Sequence, residues 1–584
     1  MGMRIARRVV SVSVLITVIG ALPACTNPFG PDPLDYDRRT NLERLREVRP
    51  LEPAAFIGDR APKHIEEALG ETLDPDAPDP VAQRRAEIEA MDRYDLSIEE
   101  ARAAVLTNNL DLRATLVNPT IADAQVSEEE GKFEAAFTLS AGWGETDSPT
   151  ASALSGSQTR NQSVTPGITI PLRTGGTATV TLPINKFQTD NTFSTLNPAI
   201  TTDLEFSLSH NLLRGAGRRA ATYGIRVADY NRQVTDTQTR LEVIRQIAAA
   251  ERSYWRLYAA QRALEVRFQQ YELAREQLGT AKRRLDAGTG AEIEVTRAES
   301  GLADRLDGII QAHNTVLLQQ RELKRILNIP GLDVDTGVNV VPTTDPDPVY
   351  YEFDPAKLTD QALANRMEML ELELRLAQDA AAIAFEKNQA LPLLAMQYTY
   401  RINGLGGTFR DSLEVLGRNH NQDWSVGLSA QVPLGNEERK ARVAQAVLAR
   451  LQRLNTRAAR EQSITQEVHD AIDQLRSDWN RILAGRQSVV LNTRSLEAER
   501  RQFGVGRSTS NDVLDADTRL GEARLAELQA LADYQIDQID LAFATGTLMG
   551  QAKVSWGPLD PRTGSTESEQ IRASSPMSGV LFDE

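Results

Sequence analysis

The sequence predicts a mainly α fold with membrane-type β-strands, built as two tandem repeats of a long coiled-coil helical hairpin preceded by short strands. Three observations predict it. The stretch Arg283–Leu302, RRLDAGTGAEIEVTRAESGL, recurs as Arg501–Leu520, RQFGVGRSTSNDVLDADTRL, at a constant offset of 218. Under that shift Gly288 meets Gly506, Leu285 meets Phe503, Glu294 meets Asp512 and Leu302 meets Leu520. No proline falls between Ala199 and Ile329 or between Leu434 and Gly557, although the chain has 26. Ahead of each proline-free span lie segments of about ten residues that alternate apolar and polar side chains, the pattern of a half-wetted strand.

The N-terminus has Arg4, Arg7 and Arg8, an apolar run from Val9 to Leu22, and then Leu22-Pro23-Ala24-Cys25. This reads as a signal peptide over 1–24, too short and wrongly flanked to span a membrane. Leu22 and Ala24 ahead of Cys25 resemble a bacterial lipobox, which makes Cys25 the candidate acylation site. Pro23 is unusual there, and ordinary cleavage beside an incidental cysteine is the alternative. No later run of 18 apolar residues occurs, so any membrane span is made of strands. Residues 25–93, rich in Pro, Asp, Glu and Arg, read as a disordered arm with one short helix near Leu42–Val48.

The first repeat is expected over 94–329. Ser97 can cap a helix and Glu100, three residues on, can complete the capping box. A second helix reaches about Gly131, with Pro119 marking a break or kink. Strands follow at about 135–144, 165–185 and 202–212. Phe137, Leu139, Ala141 and Trp143 share one face, as do Leu204, Phe206 and Leu208. Helical positions of repeat 1 meet those of repeat 2 at an offset of 257 before the strands and 218 after them, so repeat 1 carries about 39 extra residues. These hold a further hairpin around Thr174-Gly175-Gly176-Thr177, flanked by long loops at Glu145–Ser163 and Phe187–Thr201. Added barrel strands and a projecting flap are both compatible with it. Pro171 and Pro183 argue against the strands, because a closed barrel has no edge to hold them.

The helical hairpin of repeat 1 is expected over 217–329. On the descending helix Ala250, Leu257, Leu264, Tyr271, Leu278 and Leu285 recur every seven residues. All six counterparts in repeat 2, Val468 to Phe503, are apolar. The ascending helix repeats the seam, and Glu527 is its one break. The link 330–357 leads to repeat 2 over 358–549, with strands at about 393–402 and 423–433 and a hairpin over 436–549. A disordered tail is expected over 550–584.

A net charge of −16 argues against a nucleic-acid partner, which needs a basic face. One cysteine and five histidines leave no zinc cluster. There is no nucleophile–base set, phosphate loop or metal-ligand spacing, so no enzyme, cofactor or resident metal is expected.

Both repeats, over roughly Leu96–Met549, resemble the TolC family of outer-membrane channel-tunnel proteins. The matching features are LSIEEA with NNLDLR, QALANR with LPLLAMQYTY, NLLRGAGRR with VPLGNEERK, and VGRSTSNDVLDADTRL followed by LAFATGTLM. The resemblance implies a homotrimer whose strands form one shared β-barrel in outer-membrane lipid and whose helices form a tunnel through the periplasm. It implies an exit duct of a tripartite efflux pump for small molecules or drugs, docked to a periplasmic adaptor and, through it, an inner-membrane transporter. A type I secretion or metal-efflux duct of the same fold is an alternative, and a non-conducting periplasmic scaffold lipoprotein is another of a different class. Four strands per chain would give twelve in a trimer, and six would give eighteen.

The resemblance also implies a periplasmic gate at the helix tips. Asp512 and Asp515 match its acidic rings, which threefold symmetry would stack around the axis, and Glu294 matches the acid that ties the tips shut. Phe503 stands where the family often has a tyrosine, and Ser508 where it has an arginine, with Arg507 one residue early. The tip turns carrying Gly288, Thr289, Gly506 and Arg507 match the adaptor-docking segments. Helix-start acids and C-capping glycines account for the same residues without a gate or a dock.

Overall fold

The computed structural model describes residue 65, residues 79–150 and residues 156–553. The signal peptide, Cys25, the helix near Leu42–Val48 and the tail beyond 553 lie outside the described residues. Division by contacts separates residues 1–79 from 80–584, and the second unit is the one described below.

The chain enters through α1 (Pro80–Ala90) and β1 (Arg93–Leu96), then α2 (Ile98–Asn108), α3 (Leu110–Thr115) and α4 (Asn118–Gly131). Residues 80–90, expected to lie in a disordered arm, are helical instead. β1 pairs in parallel with β7 (Asn339–Pro342), inside the segment expected to be a plain link. Tyr254, fully buried, holds this ribbon down: its hydroxyl donates to the Leu96 carbonyl at 3.1 Å and accepts from the Thr344 amide at 2.9 Å. α2 starts on the capping box of Ser97 and Glu100. Pro119 lies in the first turn of α4, where a missing amide hydrogen costs no helical bond.

The strands are β2 (Ala136–Asp147), β3 (Gln158–Leu172), β4 (Gly176–Thr181), β5 (Ile184–Thr189) and β6 (Ala199–Asn211). After α5 (Arg218–Ala221) come the long α6 (Tyr223–Asp286) and α7 (Glu292–Leu327). Beyond β7 follow α8 (Pro355–Asn365), α9 (Met367–Gln389), β8 (Leu393–Gly406), α10 (Phe409–Arg418) and β9 (Gln422–Gln431). The chain continues through α11 (Glu437–Gly504), α12 (Ser510–Ala544) and α13 (Leu548–Gln551). α10 was not expected; Thr408 caps it between β8 and β9. Neither expected loop keeps its full length, because β3 begins at Gln158 and β5 runs on to Thr189.

All these strands except β1 and β7 form one open antiparallel sheet in the order β2-β3-β4-β6-β8-β9. β5 continues the line of β4, since both pair with β3 on one side and β6 on the other. The sheet is therefore six strands wide. Pro171 sits opposite Thr177 beside the tight turn, and Pro183 sits in the break between β4 and β5. Bonds still cross that break, from the Leu182 amide to the Pro166 carbonyl at 2.9 Å and from the Asp203 amide to the Pro183 carbonyl at 3.0 Å. The two prolines are thus held without an edge.

α6 and α11, of 64 and 68 residues, are each long enough to reach about 100 Å. Each folds back at a glycine turn onto a shorter helix, α7 or α12. The heptad positions Ala250, Leu257, Leu264 and Tyr271 are buried, as are Val468, Leu475, Ile482, Leu496 and Phe503, whereas Leu285 at the tip is exposed. Glu527, the break in the seam, is accommodated by a small neighbour and a charge. A Cβ on Gly485 would lie 3.2 Å from the Glu527 Cα, and Arg486 pairs with the carboxylate at 2.8 Å. Among the described residues no helix is long and apolar enough to cross a membrane.

Candidate functional site

The two hairpin tips meet through residues of opposite repeats. Phe503, in the last turn of α11, is 6 % exposed and packs in a cluster with Leu273, Leu496, Val513, Ala516 and Leu520. Arg284, from the last turn of α6, lies with its guanidinium carbon 3.9 Å from the Phe503 ring centroid. The same guanidinium donates to the Phe503 carbonyl at 2.8 Å, which also accepts from the Gly506 amide at 3.1 Å, so it ties down a helix end as well as stacking on a ring. Higher up, Arg305 of α7 donates to the Thr518 hydroxyl of α12 at 2.5 Å. The absence of a hydroxyl on Phe503 is therefore matched by a different inter-repeat join, one that uses the ring face. Sequence reasoning missed Arg284. Its one signal, a cation in the last helical turn beside Gly288, reads equally as a response to the helix dipole.

Asp512 is the third residue of α12 and completes a capping box. The Thr509 amide and hydroxyl donate to its Oδ2 at 2.8 and 2.7 Å, and its own amide donates to the Thr509 hydroxyl at 3.3 Å. Ser508 has its hydroxyl 3.1 Å from the same Oδ2 and 2.8 Å from Glu499 Oε2, so a single proton serves two carboxylates. The Thr509 amide, its hydroxyl and then the Ser508 hydroxyl hold the Asp512 carboxyl below the usual carboxylate range. Asp515, one turn on, is exposed and accepts from the Asn511 amide group at 3.3 Å. The cap and the exposed charge are compatible, because the Thr509 amide and the Thr509 and Ser508 hydroxyls all converge on Oδ2 of Asp512.

Glu294 stands half-buried in the first turn of α7, and the inter-repeat joins described above run through Arg284 and Arg305 instead. Gly288 and Gly506 adopt φ of 71° and 75°, which L side chains disfavour, and no atom lies within 4 Å of a Cβ built on either. Their turns close by bonds from the Thr289 amide to the Arg284 carbonyl and from the Arg507 amide to the Gln502 carbonyl, both 2.9 Å. Thr289 and Arg507 are exposed. The glycines are C-caps by geometry, and the turns around them are open surface.

A layer above the tips, a cleft of roughly 260 Å³ is lined by Gln270, Leu496, Arg500, Asp517, Gly521 and Arg524, among others. Burial pushes the Asp517 carboxyl up to about 6, against the opposing charges of Arg305, Arg500 and Arg524. Among the described residues no group of three or more His, Cys, Asp or Glu side chains has the geometry to hold a metal ion.

Known proteins resemble this chain in both sequence and fold. The family described as outer membrane efflux protein matches residues 358–547, which lie in the second repeat. Outer membrane protein TolC of Vibrio cholerae is 25% identical over 344 residues, 57% of this chain and 75% of that protein. Outer membrane protein TolC of Escherichia coli is 24% identical over 321 residues, 54% of this chain and 64% of that protein. Among solved structures, the outer-membrane channel OprN superposes with a TM-score of 0.57 at 17% identity, covering 77% of this chain and 90% of that one. The Campylobacter jejuni CmeC outer membrane channel gives 0.58 at 14% identity, covering 77% and 86%.

Removing the Phe503 ring vacates a packed site and unseats Arg284. Phe503→Ala is expected to destabilise the tip by about 3 kcal/mol, and Arg284→Gln by about 1 kcal/mol. The double variant should cost less than the sum. Hydrogen exchange along the first turns of α12 checks this, and strictly additive losses would show that the two residues do not act as a pair.

Proposed function

We propose that three copies of this chain, an outer membrane factor of the TolC type whose second repeat matches the outer membrane efflux protein family, form the exit duct of a tripartite efflux pump. It is an outer-membrane protein with an extended periplasmic part. In this reading the homotrimer passes small molecules or drugs along a helical tunnel and out through a shared β-barrel. A periplasmic adaptor links it to an inner-membrane transporter.

The observation that carries the reading is the open sheet joined to the long hairpins. One face of the sheet is apolar across its width: Ile168, Val180, Phe206, Tyr400 and Trp424 stand side by side in register. The opposite face carries Thr169, Thr179, Ser207, Thr399 and Ser425 in the same way. β9 is exposed along its whole length, and β2 is exposed at all but one residue. A sheet with one oily face, one wet face and two open edges suits lipid outside, water inside and further copies at both sides. A periplasmic scaffold has no use for such a face.

The gate is assigned to the tips. Asp512 and Asp515 are exposed three residues apart at the start of α12, and their threefold repetition would set two rings of carboxylate around the axis. Glu294, Phe503 and Ser508 complete this region, with Phe503 acting through Arg284. The open turns at Gly288–Thr289 and Gly506–Arg507 are the proposed adaptor contacts, and Cys25 is the proposed acylation site.

Single-channel recording of the purified trimer tests the reading, which discrete cation-selective openings support and a non-conducting species refutes. Asp512→Ala with Asp515→Ala is expected to lower cation selectivity several-fold and weaken block by divalent ions; unchanged selectivity would remove the pair from the gate. Photo-crosslinkers at Thr289 and Arg507 should capture the adaptor, and capture only from other surfaces would move the dock elsewhere. Labelled palmitate should be incorporated by the parent chain and lost in Cys25→Ser, so retention in the variant would assign the lipid to another residue.

A further inference from the structure

We propose that the barrel has eighteen strands, six from each of three copies, with β9 of one copy laid antiparallel on β2 of the next. This rests on the membrane-barrel reading above and adds the width of the pore and the edges that close it. The extra residues of repeat 1 supply the difference. β3 and the β4–β5 line are inserted between β2 and β6 rather than lying outside the sheet, because β2 bonds to β3 along its full length and makes no ladder with β6.

The side chains of the inserted strands obey the same two faces as their neighbours. On the apolar side Phe137 of β2 stands opposite Ile168, Ile168 opposite Val180, and Val180 opposite Phe206. On the polar side Thr138 stands opposite Gly167, Gly167 opposite Thr181, and Thr181 opposite Glu205, which pairs with Arg401. A hairpin projecting into water has no reason to hold Ile168, Ile170 and Val180 exposed on one face in line with the lipid-facing residues of the core strands. A one-residue slip would invert every side chain, so agreement across successive strands reflects a continuous wall.

Direction supplies the closure. The six strands alternate, with β2 leading away from the helices and β9 returning toward them, so the two free edges of adjacent copies meet antiparallel. Both edges carry large exposed apolar side chains, with Phe137 at 69% and Trp424 at 71% exposure. Strands spaced about 4.8 Å and tilted about 40° give a backbone diameter of about 36 Å for eighteen strands, against about 24 Å for twelve.

The test places single cysteines in the full-length protein in outer-membrane vesicles, with the parent chain, whose one cysteine is Cys25, as the blank. Ile168→Cys and Val180→Cys should resist a membrane-impermeant maleimide. Thr169→Cys and Thr179→Cys should react at least tenfold faster through the wet lumen. Val426→Cys and Ser425→Cys on β9 report the same contrast for a strand shared by either barrel. Contrast at β9 with uniformly fast reaction on β3 and β4 would overturn the eighteen-stranded barrel and leave the channel intact. Loss of contrast at β9 as well would overturn the membrane reading itself, and the wider barrel with it. Imaging of the unmodified trimer reads the diameter independently, and about 24 Å would refute the proposal.

Discussion

A sheet in hydrocarbon cannot leave a row of amide and carbonyl groups unpaired, and the rest of this structure depends on that constraint. Six strands held by one chain end at β2 and β9, each with one side of its backbone open. Among the described residues neither edge is blunted by a charge-rich strand, a bulge or a covering helix, as the edges of a water-soluble sheet are. In the proposed assembly the chain is a segment of a wall, and its sheet is completed by further copies. The helical hairpins inherit the same arrangement, because they enter and leave the sheet at one end and are carried wherever the strands are placed.

The helices meet a different demand, which is to stay paired over a length far beyond that of a globular core. They do so with a repeated apolar seam, and where the seam fails they use local devices. Gly485 admits the backbone beside Glu527, and Gly521 brings α12 so close to α6 that an added Cβ would overlap the Gln270 side chain. At the tips the repeats are joined by side chains that differ from those at the equivalent positions. Arg284 corresponds to Gln502 and Phe503 to Leu285, so the join at the tips is asymmetric although the hairpins are alike. Duplication supplies the scaffold, and divergence at a few positions supplies the contacts between its halves.

At the tips, local folding and the proposed gate use the same atoms. Asp512 closes the first turn of α12 while its carboxylate remains charged and exposed. Its position in the sequence is explained by the helix start, and only its repetition around an axis would give it a second role. The glycines at 288 and 506 are likewise required by positive φ whatever docks on them. These residues were legible in the sequence as caps and as matches to a family pattern. The Arg284–Phe503 stack was not, since the two residues are 219 apart and on different helices, and neither is unusual at its own site.

By itself the sequence determined the repeat, the long hairpins, the tip turns and the faces of the strands. Each of these follows from short-range periodicity, from proline exclusion or from the backbone demands of single residues. It left the extra hairpin between two outcomes and read residues 80–93 as part of a disordered arm, because the partners involved lie far along the chain. The pairing of β1 with β7 joins residues about 250 positions apart, and the choice between an inserted strand and a flap depends on which edge β3 finds. The tertiary structure decided both, by satisfying backbone hydrogen bonds over distances that no local pattern encodes.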